Sequence, residues 1–308
     1  MSFGDINRVN TNLQALSSQY SLNKINSRLA DNQLKLSTGL RINKAEDDAA
    51  GFSIASKLSG RIAGLEQASR NVGDAKSMLD VAESGINSIM DIMVEMKSKA
   101  TQGANGTLGA TERGYIKDQI ESLGAEIDSI VDSTTFQGTD LLKGTTDVSG
   151  TFGTNDNNVG TQVGDGLAHE GISLTFQVGE GSADTKTVEL MDMSVDNLFE
   201  SSGGGTLTLA GSAASDFNSF LDEIDNAINR VATNTNQMGI DQNSLSIRQE
   251  NLSQQVTSNS AARSRIQDAD FAKIQSESVK LQIMQQTATS ALAQANTSPQ
   301  AVLGFLGG

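Results

Sequence analysis

The sequence contains no cysteine and no tryptophan, and its 308 residues include only one proline and one histidine. The absence of cysteine excludes disulfides, thiolate metal sites and cysteine nucleophiles. A single proline is compatible with long uninterrupted helices, because proline breaks a helix interior. Aromatic residues make up only 4% of the chain, which is little bulk for the thick core of a compact enzyme. These absences favour thin helix-on-helix packing.

The sequence also offers no convincing catalytic or metal site. His169 is followed four residues later by Ser173, where the helix of a zinc protease needs a second histidine. The stretch from Asp156 to Gly160 faintly resembles a calcium loop, but Leu167 occupies the position of that loop's last acidic ligand. We therefore expect no metal and no cofactor.

Charge is distributed unevenly along the chain, whose formal net charge is -15. Residues 1–61 carry eight basic and five acidic residues, and residues 262–308 carry four and three, so the middle of the chain is strongly acidic. An acidic middle argues against nucleic-acid binding, which needs a concentrated basic surface. No window approaches the roughly 18 apolar residues of a membrane span. The first twenty residues lack the features of a cleaved secretory signal.

A long heptad pattern is the most regular feature of the sequence. Apolar residues recur in alternating steps of three and four from Leu65 to Ala100, which predicts a helix with one continuous apolar stripe. This helical core seam comprises Leu65, Ala68, Val72, Ala75, Leu79, Ala82, Ile86, Ile89, Met93, Met96 and Ala100. One amphipathic helix cannot bury its own stripe, so a partner helix is required.

Two further segments carry the same spacing and are the candidate partners. Residues 116–130 follow a glycine-bearing break, and residues 217–252 form a downstream seam. The downstream seam is interrupted by Asn234, Asp241 and Arg248. Polar seam residues cost stability but can fix the register of packed helices, so we expect an alignment role for these three.

Both ends of the chain also have helical spacing. The N-terminal seam is Leu22, Ile25, Leu29 and Leu36, with Asn32 inside it, and we expect Gly39 to end this helix. The C-terminal seam is Ile274, Leu281, Met284, Ala288, Ala291 and Ala295, and a second apolar stripe holds Val279, Ile283 and Leu292. Burial of a large aliphatic side chain stabilises by about 1.5–3 kcal/mol and alanine by much less. We therefore expect each end to order only when it packs against neighbours.

The segment between the two helical halves has a different composition. Gly, Ser, Thr, Asn and Asp dominate residues 145–215, with short alternating runs at Ile172–Val178, Thr185–Met191 and Thr206–Leu209. This pattern predicts a small β-rich insertion. The predicted fold is mainly α, a long antiparallel helical coiled coil or bundle that pairs the N- and C-terminal segments, with this insertion projecting from it.

Acidic residues precede the first long helix. Glu46, Asp47 and Asp48 stand just before an apolar helix that begins near Ala49. We interpret them as helix-capping residues that complement the helix dipole, because this explains the cluster without a metal or acid/base site.

Segments near both ends resemble the signatures of bacterial flagellins. The N-terminal signature runs through Leu36–Asn43 and Ala45–Gly51. The C-terminal signature comprises Ser264–Phe271, Gln282–Gln286, Leu292–Asn296 and Pro299–Leu303. Two long signatures stand in the same order at opposite ends, which argues against a chance resemblance.

The resemblance implies a domain layout for the chain. It assigns residues 1–45 and 273–308 to a terminal coiled-coil domain in the filament core, and residues 56–144 and 216–263 to a helical outer-tube domain. Residues 46–55 and 264–272 would be the linkers between these two domains. Residues 145–215 would be a variable surface insertion. The self-assembly residues expected in the terminal helices are Leu22, Ile25, Leu29, Leu36, Ile274, Leu281, Met284, Leu292, Val302 and Leu303.

The resemblance also implies a function and partners. The chain would be a non-enzymatic subunit of the extracellular flagellar filament, a homopolymer that serves swimming motility. Its further partners would be a flagellar export chaperone and the cap and hook-associated proteins, with signal-less type III export. The closest alternative is a hook–filament junction protein of the same superfamily. An insertion with enzymatic activity and a cytoplasmic coiled-coil scaffold are more distant alternatives.

One position departs from flagellins recognised by the innate immune receptor Toll-like receptor 5. The basic residue central to their contact patch aligns with Glu95, whereas Lys97 matches a neighbouring basic residue. Reversal of one charge at such a position can cost several kcal/mol of binding energy. We therefore expect weak receptor recognition.

Overall fold

The computed structural model describes residues 11–144, 161–163, 167–169, 171–199, 211 and 213–306, and their side chains except for 161–169 and 298–306. The helices are α1 (Leu13–Thr38), α2 (Ala49–Gly103), α3 (Ala110–Ser133), α4 (Val195–Leu198), α5 (Ala214–Gln267) and α6 (Phe271–Leu306). The strands are β1 (Thr135–Phe136), β2 (Thr139–Asp140), β3 (Thr161–Val163), β4 (Leu167–His169), β5 (Gly171–Gln177) and β6 (Thr185–Met191).

The described strands form three separate two-stranded antiparallel sheets, which are β1–β2, β3–β4 and β5–β6. The longest is the β5–β6 hairpin, whose register runs from Gly171 opposite Met191 to Gln177 opposite Thr185. Long helices with small sheets confirm the predicted mainly α fold with a β-rich insertion. The alternating run at Thr206–Leu209 lies outside the described residues.

The chain divides into two compact units. The terminal unit comprises Met1–Ile62 and Thr257–Gly308, and the helical unit comprises Ala63–Val256. The domain boundaries implied by the resemblance are a separate prediction.

The core of the helical unit is a single apolar cluster along α2. The whole heptad seam from Leu65 to Ala100 is buried, and it packs in one cluster with apolar residues of α3, α5 and the β5–β6 hairpin. Burial at every third and fourth position follows from the 3.5-residue repeat, because that repeat keeps one stripe facing the partner helices.

Polar contacts show that α2 and α5 run antiparallel. Gln242 of α5 donates through Nε2 to the Glu83 carboxylate at 2.9 Å and to Asp80 at 3.2 Å. Nearer the other end of the pair, the Lys97 ammonium forms an ion pair with Asp225. Later residues of α2 thus contact earlier residues of α5.

The three polar positions of the α5 seam have different environments. Asn234 and Asp241 are buried among the apolar seam residues, whereas Arg248 is exposed. The Asn234 Nδ2 atom has no hydrogen-bond partner. Asp241 forms an ion pair with Lys186 of β6 at 2.8 Å.

Glycine ends α1 where the sequence indicated a stop. Gly39 has a left-handed backbone with φ of 72°, and its N–H donates to the Lys35 carbonyl. This is the usual helix-terminating arrangement, because glycine has no Cβ to clash in that conformation.

We expect the α2 seam to dominate the stability of the helical unit. Ile86 is fully buried, so Ile86→Ala should lower the free energy of unfolding by about 2–5 kcal/mol through lost burial and a residual cavity. Val94 is 58% exposed on the same helix, so Val94→Ala should change it by no more than about 0.5 kcal/mol. Urea denaturation followed by far-UV circular dichroism measures both, and equal losses would contradict the assignment of the seam.

Candidate self-association surface

Helices α1 and α6 pack antiparallel in the terminal unit. The Asn12 side chain donates through Nδ2 to the Ala295 carbonyl at 2.7 Å. Gln285 Nε2 donates to Asn26 Oδ1 at 2.8 Å. Asn12 also caps α1, because its Oδ1 accepts a hydrogen bond from the Ala15 N–H. The start of α1 is therefore fixed both by its own cap and by α6.

The α1–α6 seam is thin. Among the described side chains of these two helices, the buried apolar residues are Ile25, Ile274, Leu281 and Ala295. Two buried polar residues interrupt them, and both Asn32 Nδ2 and Ser278 Oγ lack a hydrogen-bond partner. A buried polar group without a partner costs about 1–3 kcal/mol. The packing between these helices is consequently weak for helices of their length.

The segments that connect these helices to α2 and α5 are bonded to each other. The Arg41 N–H donates to the Gln267 carbonyl at 2.7 Å, and its guanidinium donates to the Ile266 carbonyl at 2.6 Å. The Ala269 N–H donates to the Gly39 carbonyl at 2.9 Å. Ile42 is buried beside these bonds. The flagellin-like signature segments thus form a hydrogen-bonded junction within the terminal unit.

Of the acidic residues of this junction, Asp48 caps α2, whereas Asp47 bonds to the loop before the helix and does not cap it. Asp48 Oδ1 accepts hydrogen bonds from the N–H groups of Ala50 and Gly51 at the start of α2, which confirms its predicted capping role. Asp47 accepts from the backbone N–H groups of Asn43 and Lys44. These backbone donors hold the pKa of the Asp47 carboxyl below its usual range, because they stabilise the charged form.

A set of large apolar side chains in the terminal unit faces solvent. We call it the apolar terminal surface, and it comprises Leu13, Leu16, Tyr20, Leu34, Phe52, Ile54, Phe271, Val279, Ile283 and Met284. Leu13, Leu16 and Tyr20 share one face of α1 by their spacing, as Val279 and Ile283 do on α6. Tyr20 is 70% exposed and Ile283 is 59% exposed. Exposed apolar residues that share one helix face are candidates for an interaction surface.

The structure places the predicted self-assembly residues in three environments. Ile25, Ile274 and Leu281 are buried between α1 and α6. Leu22, Leu29, Leu36 and Leu292 are half-buried, and Met284 is exposed. The side chains of Val302 and Leu303 lie outside the described residues, although the backbone of both belongs to α6. Their role in assembly stays a prediction.

The predicted self-assembly residues omit the most exposed apolar positions of α1. Leu13, Leu16 and Tyr20 precede the first predicted seam residue, Leu22. Their spacing of three and four residues was a usable signal. It does not reveal which apolar positions lie between α1 and α6 and which face solvent.

The two positions of the predicted receptor patch differ in accessibility. Glu95 is exposed on α2, whereas the Lys97 ammonium is engaged by Asp225. Among the described residues, no cluster of histidine and acidic side chains could hold a metal ion. No described helix is long and apolar enough to cross a membrane.

Models of two protein-family regions match the chain. The bacterial flagellin N-terminal helical region matches residues 9–147. The bacterial flagellin C-terminal helical region matches residues 221–306. The matched regions contain α1 to α3 and almost all of α5 and α6, and the segment between them contains the β5–β6 hairpin.

The similarity to curated relatives covers almost the full length of this chain. A flagellin of Bacillus subtilis is 36% identical over 305 residues, which cover 97% of this chain and 99% of that protein. The flagellar filament 33 kDa core protein of Treponema phagedenis is 31% identical over 300 residues, with the same coverage. The structure of a putative flagellar hook-associated protein from Vibrio parahaemolyticus matches with a TM-score of 0.55 at 16% identity. The match covers 72% of this chain and all of that one. At this low identity the likeness concerns the fold alone.

The thin α1–α6 seam predicts uneven protection from hydrogen exchange. In the monomer, amides of α1 and α6 should exchange at least about tenfold faster than those of α2 between Leu65 and Ala100, because fewer buried apolar contacts oppose local opening. Amide exchange followed by mass spectrometry at low protein concentration measures this difference. Equal protection of the two regions would show that the ends are stable without neighbours.

Proposed function

The chain belongs to the bacterial flagellin family, and we propose that it polymerises through the apolar terminal surface. It is a structural subunit of the flagellar filament, and membership of this family makes it a structural protein and not an enzyme. The observation that carries the proposed interface is the exposure of large apolar side chains on α1 and α6, where the seam between the two helices is thin.

The proposed interface explains why the terminal unit exposes large apolar side chains while its own α1–α6 seam is thin. Exposed side chains such as Tyr20 and Ile283 stabilise nothing in the isolated chain, but their burial against other copies would contribute about 25 cal/mol for each Å² of apolar surface covered. Identical subunits joined by non-closing contacts form a helical polymer. Filament growth would then supply the burial that the α1–α6 pair lacks alone.

We propose the domain layout implied by the resemblance for the assembled state. Residues 1–45 and 273–308 would form the inner core, and residues 56–144 and 216–263 would form the outer tube. The junction hydrogen bonds that Arg41 and Ala269 donate involve the 264–272 segment, whereas most of the 46–55 segment belongs to α2. Residues 145–215 would form the surface insertion.

We also propose an extracellular location and a set of flagellar partners. Val279, Ile283 and Met284 expose apolar surface on α6, and such surface would need cover before polymerisation. An export chaperone that binds α6 would provide it, followed by type III export and contact with cap and hook-associated proteins. Full-length similarity to flagellins favours this filament role over that of a junction protein.

We predict that one exposed apolar side chain of α6 is required for polymerisation. Ile283→Ser should raise the critical concentration for filament growth at least about tenfold, because each subunit loses apolar surface that neighbours would bury. Gln282→Ser is the matched control, since Gln282 is exposed beside it, and should polymerise normally. Seeded growth in a precipitating salt, followed by electron microscopy, measures both variants.

The circular dichroism of both monomers should match that of the parent chain. Normal filament growth by Ile283→Ser would contradict the proposed interface. If the parent chain remained monomeric or formed only short caps, the junction-protein alternative would take its place.

We propose weak recognition by the innate immune receptor, because an exposed carboxylate stands at position 95 and the neighbouring Lys97 is paired with Asp225. Glu95→Arg should therefore raise the receptor response to pure monomer at least about tenfold, by placing a positive charge at the central contact. Asp91→Arg, a change of the same charge one turn earlier at another exposed position, should raise it much less. A strong response to the parent chain would show that the alignment is wrong.

A further inference from the structure

An ion pair joins the β5–β6 hairpin to α5, outside the proposed polymerisation interface. The Lys186 ammonium lies 2.8 Å from Asp241 Oδ1. The Asp241 side chain is 4% exposed and the Lys186 side chain 26% exposed. Both residues belong to the helical unit. The pair therefore connects two elements within the core of that unit.

Asp241 is an exception within its helix. It occupies a position of the α5 heptad seam between Met238 and Leu245, both of which are buried in the apolar core. An apolar side chain at this position would continue the seam. Asp241 instead places a carboxylate where the desolvation of a charge is costly unless a partner of opposite charge is present.

Lys186 is a matching exception within the hairpin. On β6 the inward positions alternate with exposed ones, and Lys186 shares the inward face with buried Val188 and Leu190. On the paired strand β5, the inward residues are Ile172, Leu174 and Phe176, all of which pack into the same apolar cluster. Lys186 is thus the one charged residue among the inward positions of these two described strands.

We propose that the Lys186–Asp241 ion pair fixes the register at which the β5–β6 hairpin docks on α5. A slip of two residues along the strands would keep every inward side chain facing the helix. It would also carry Lys186 about 7 Å from Asp241, since a strand rises about 3.4 Å per residue. The Asp241 carboxylate would then lose its ion pair and keep only the long 3.5 Å hydrogen bond from Gln237 Nε2 of its own helix. A buried charge without a partner of opposite charge is costly, which disfavours the slipped arrangement.

The Lys186–Asp241 pair selects one docking register of the hairpin and adds no net free energy of unfolding. A buried ion pair replaced by well-packed apolar residues is often neutral or stabilising, whereas removal of one partner is strongly destabilising. An apolar pair at these positions would satisfy the core equally well in either register. The charged pair is satisfied in only one register. Replacement of both residues by apolar ones therefore distinguishes a role in register from a purely stabilising role.

A pair of introduced cysteines can report the register directly, since the chain has no native cysteine. A Cβ built on Gly64 of α2 would lie 3.5 Å from the Cβ of Glu180 in the hairpin loop, within the range of disulfides. Gly64→Cys with Glu180→Cys is the native-register reporter. Gly64→Cys with Ser182→Cys, two residues further along the loop, is the slipped-register reporter.

The test places both reporters in the full-length monomer, with and without the double substitution Lys186→Met/Asp241→Leu. In the parent background, the native-register reporter should oxidise at least about tenfold faster than the slipped-register reporter. In the double variant this ratio should fall at least about threefold, while the urea midpoint of unfolding remains equal or rises. An unchanged ratio in the double variant would overturn the proposal, as would a lowered midpoint.

A single substitution provides an independent measurement. Lys186→Met leaves the Asp241 carboxylate buried without its partner, so amides of β5 and β6 should exchange at least about tenfold faster. Lys143→Met is the matched control, because it breaks the exposed Lys143–Asp132 pair of similar length, 2.7 Å, and should leave hairpin exchange unchanged. Unchanged hairpin exchange in Lys186→Met would overturn the proposal. If that variant fails to fold, the double variant and its reporters still decide the question.

Discussion

The structure depends above all on burial of the apolar stripe of α2. This stripe extends from Leu65 to Ala100, and every seam residue is buried in one cluster with apolar residues of α3, α5 and the β5–β6 hairpin. Because α2 cannot bury this stripe by itself, other elements must cover it. They include α3, which follows α2 directly in the chain, and α5, which lies beyond the insertion.

The terminal unit differs from the helical unit because more of its large apolar side chains face solvent. Among their described side chains, helices α1 and α6 bury few large residues against each other, and the seam includes Asn32 and Ser278 with unpartnered polar atoms. The same helices expose large apolar residues, among them Tyr20 and Ile283. A helix has a limited apolar circumference, so apolar surface that faces solvent is not available to stabilise the subunit itself. A stable helical unit with a marginal terminal unit suits a protein that polymerises.

Polar residues inside the helical unit restrict its possible packings. Apolar heptads permit slippage by one repeat, because each repeat presents the same stripe. The contacts of Gln242 with Asp80 and Glu83, and of Lys97 with Asp225, connect particular levels of α2 and α5. The Lys186–Asp241 pair would do the same for the hairpin. Specific alignment of these elements thus depends on a few polar contacts around an otherwise uniform apolar core.

The sequence by itself determined the mainly α fold, the burial period of α2 and α5, the stop of α1 at Gly39 and the capping role of Asp48, because each follows from local geometry and spacing. Only the tertiary structure decided which apolar residues of the terminal helices face each other and which face solvent, since both sets have the same spacing. It also decided that Asp241 is buried while Arg248 is exposed, although both interrupt one seam. Asp241 has a partner from a distant strand, and no periodicity within one segment can indicate a contact that the packing of another segment creates.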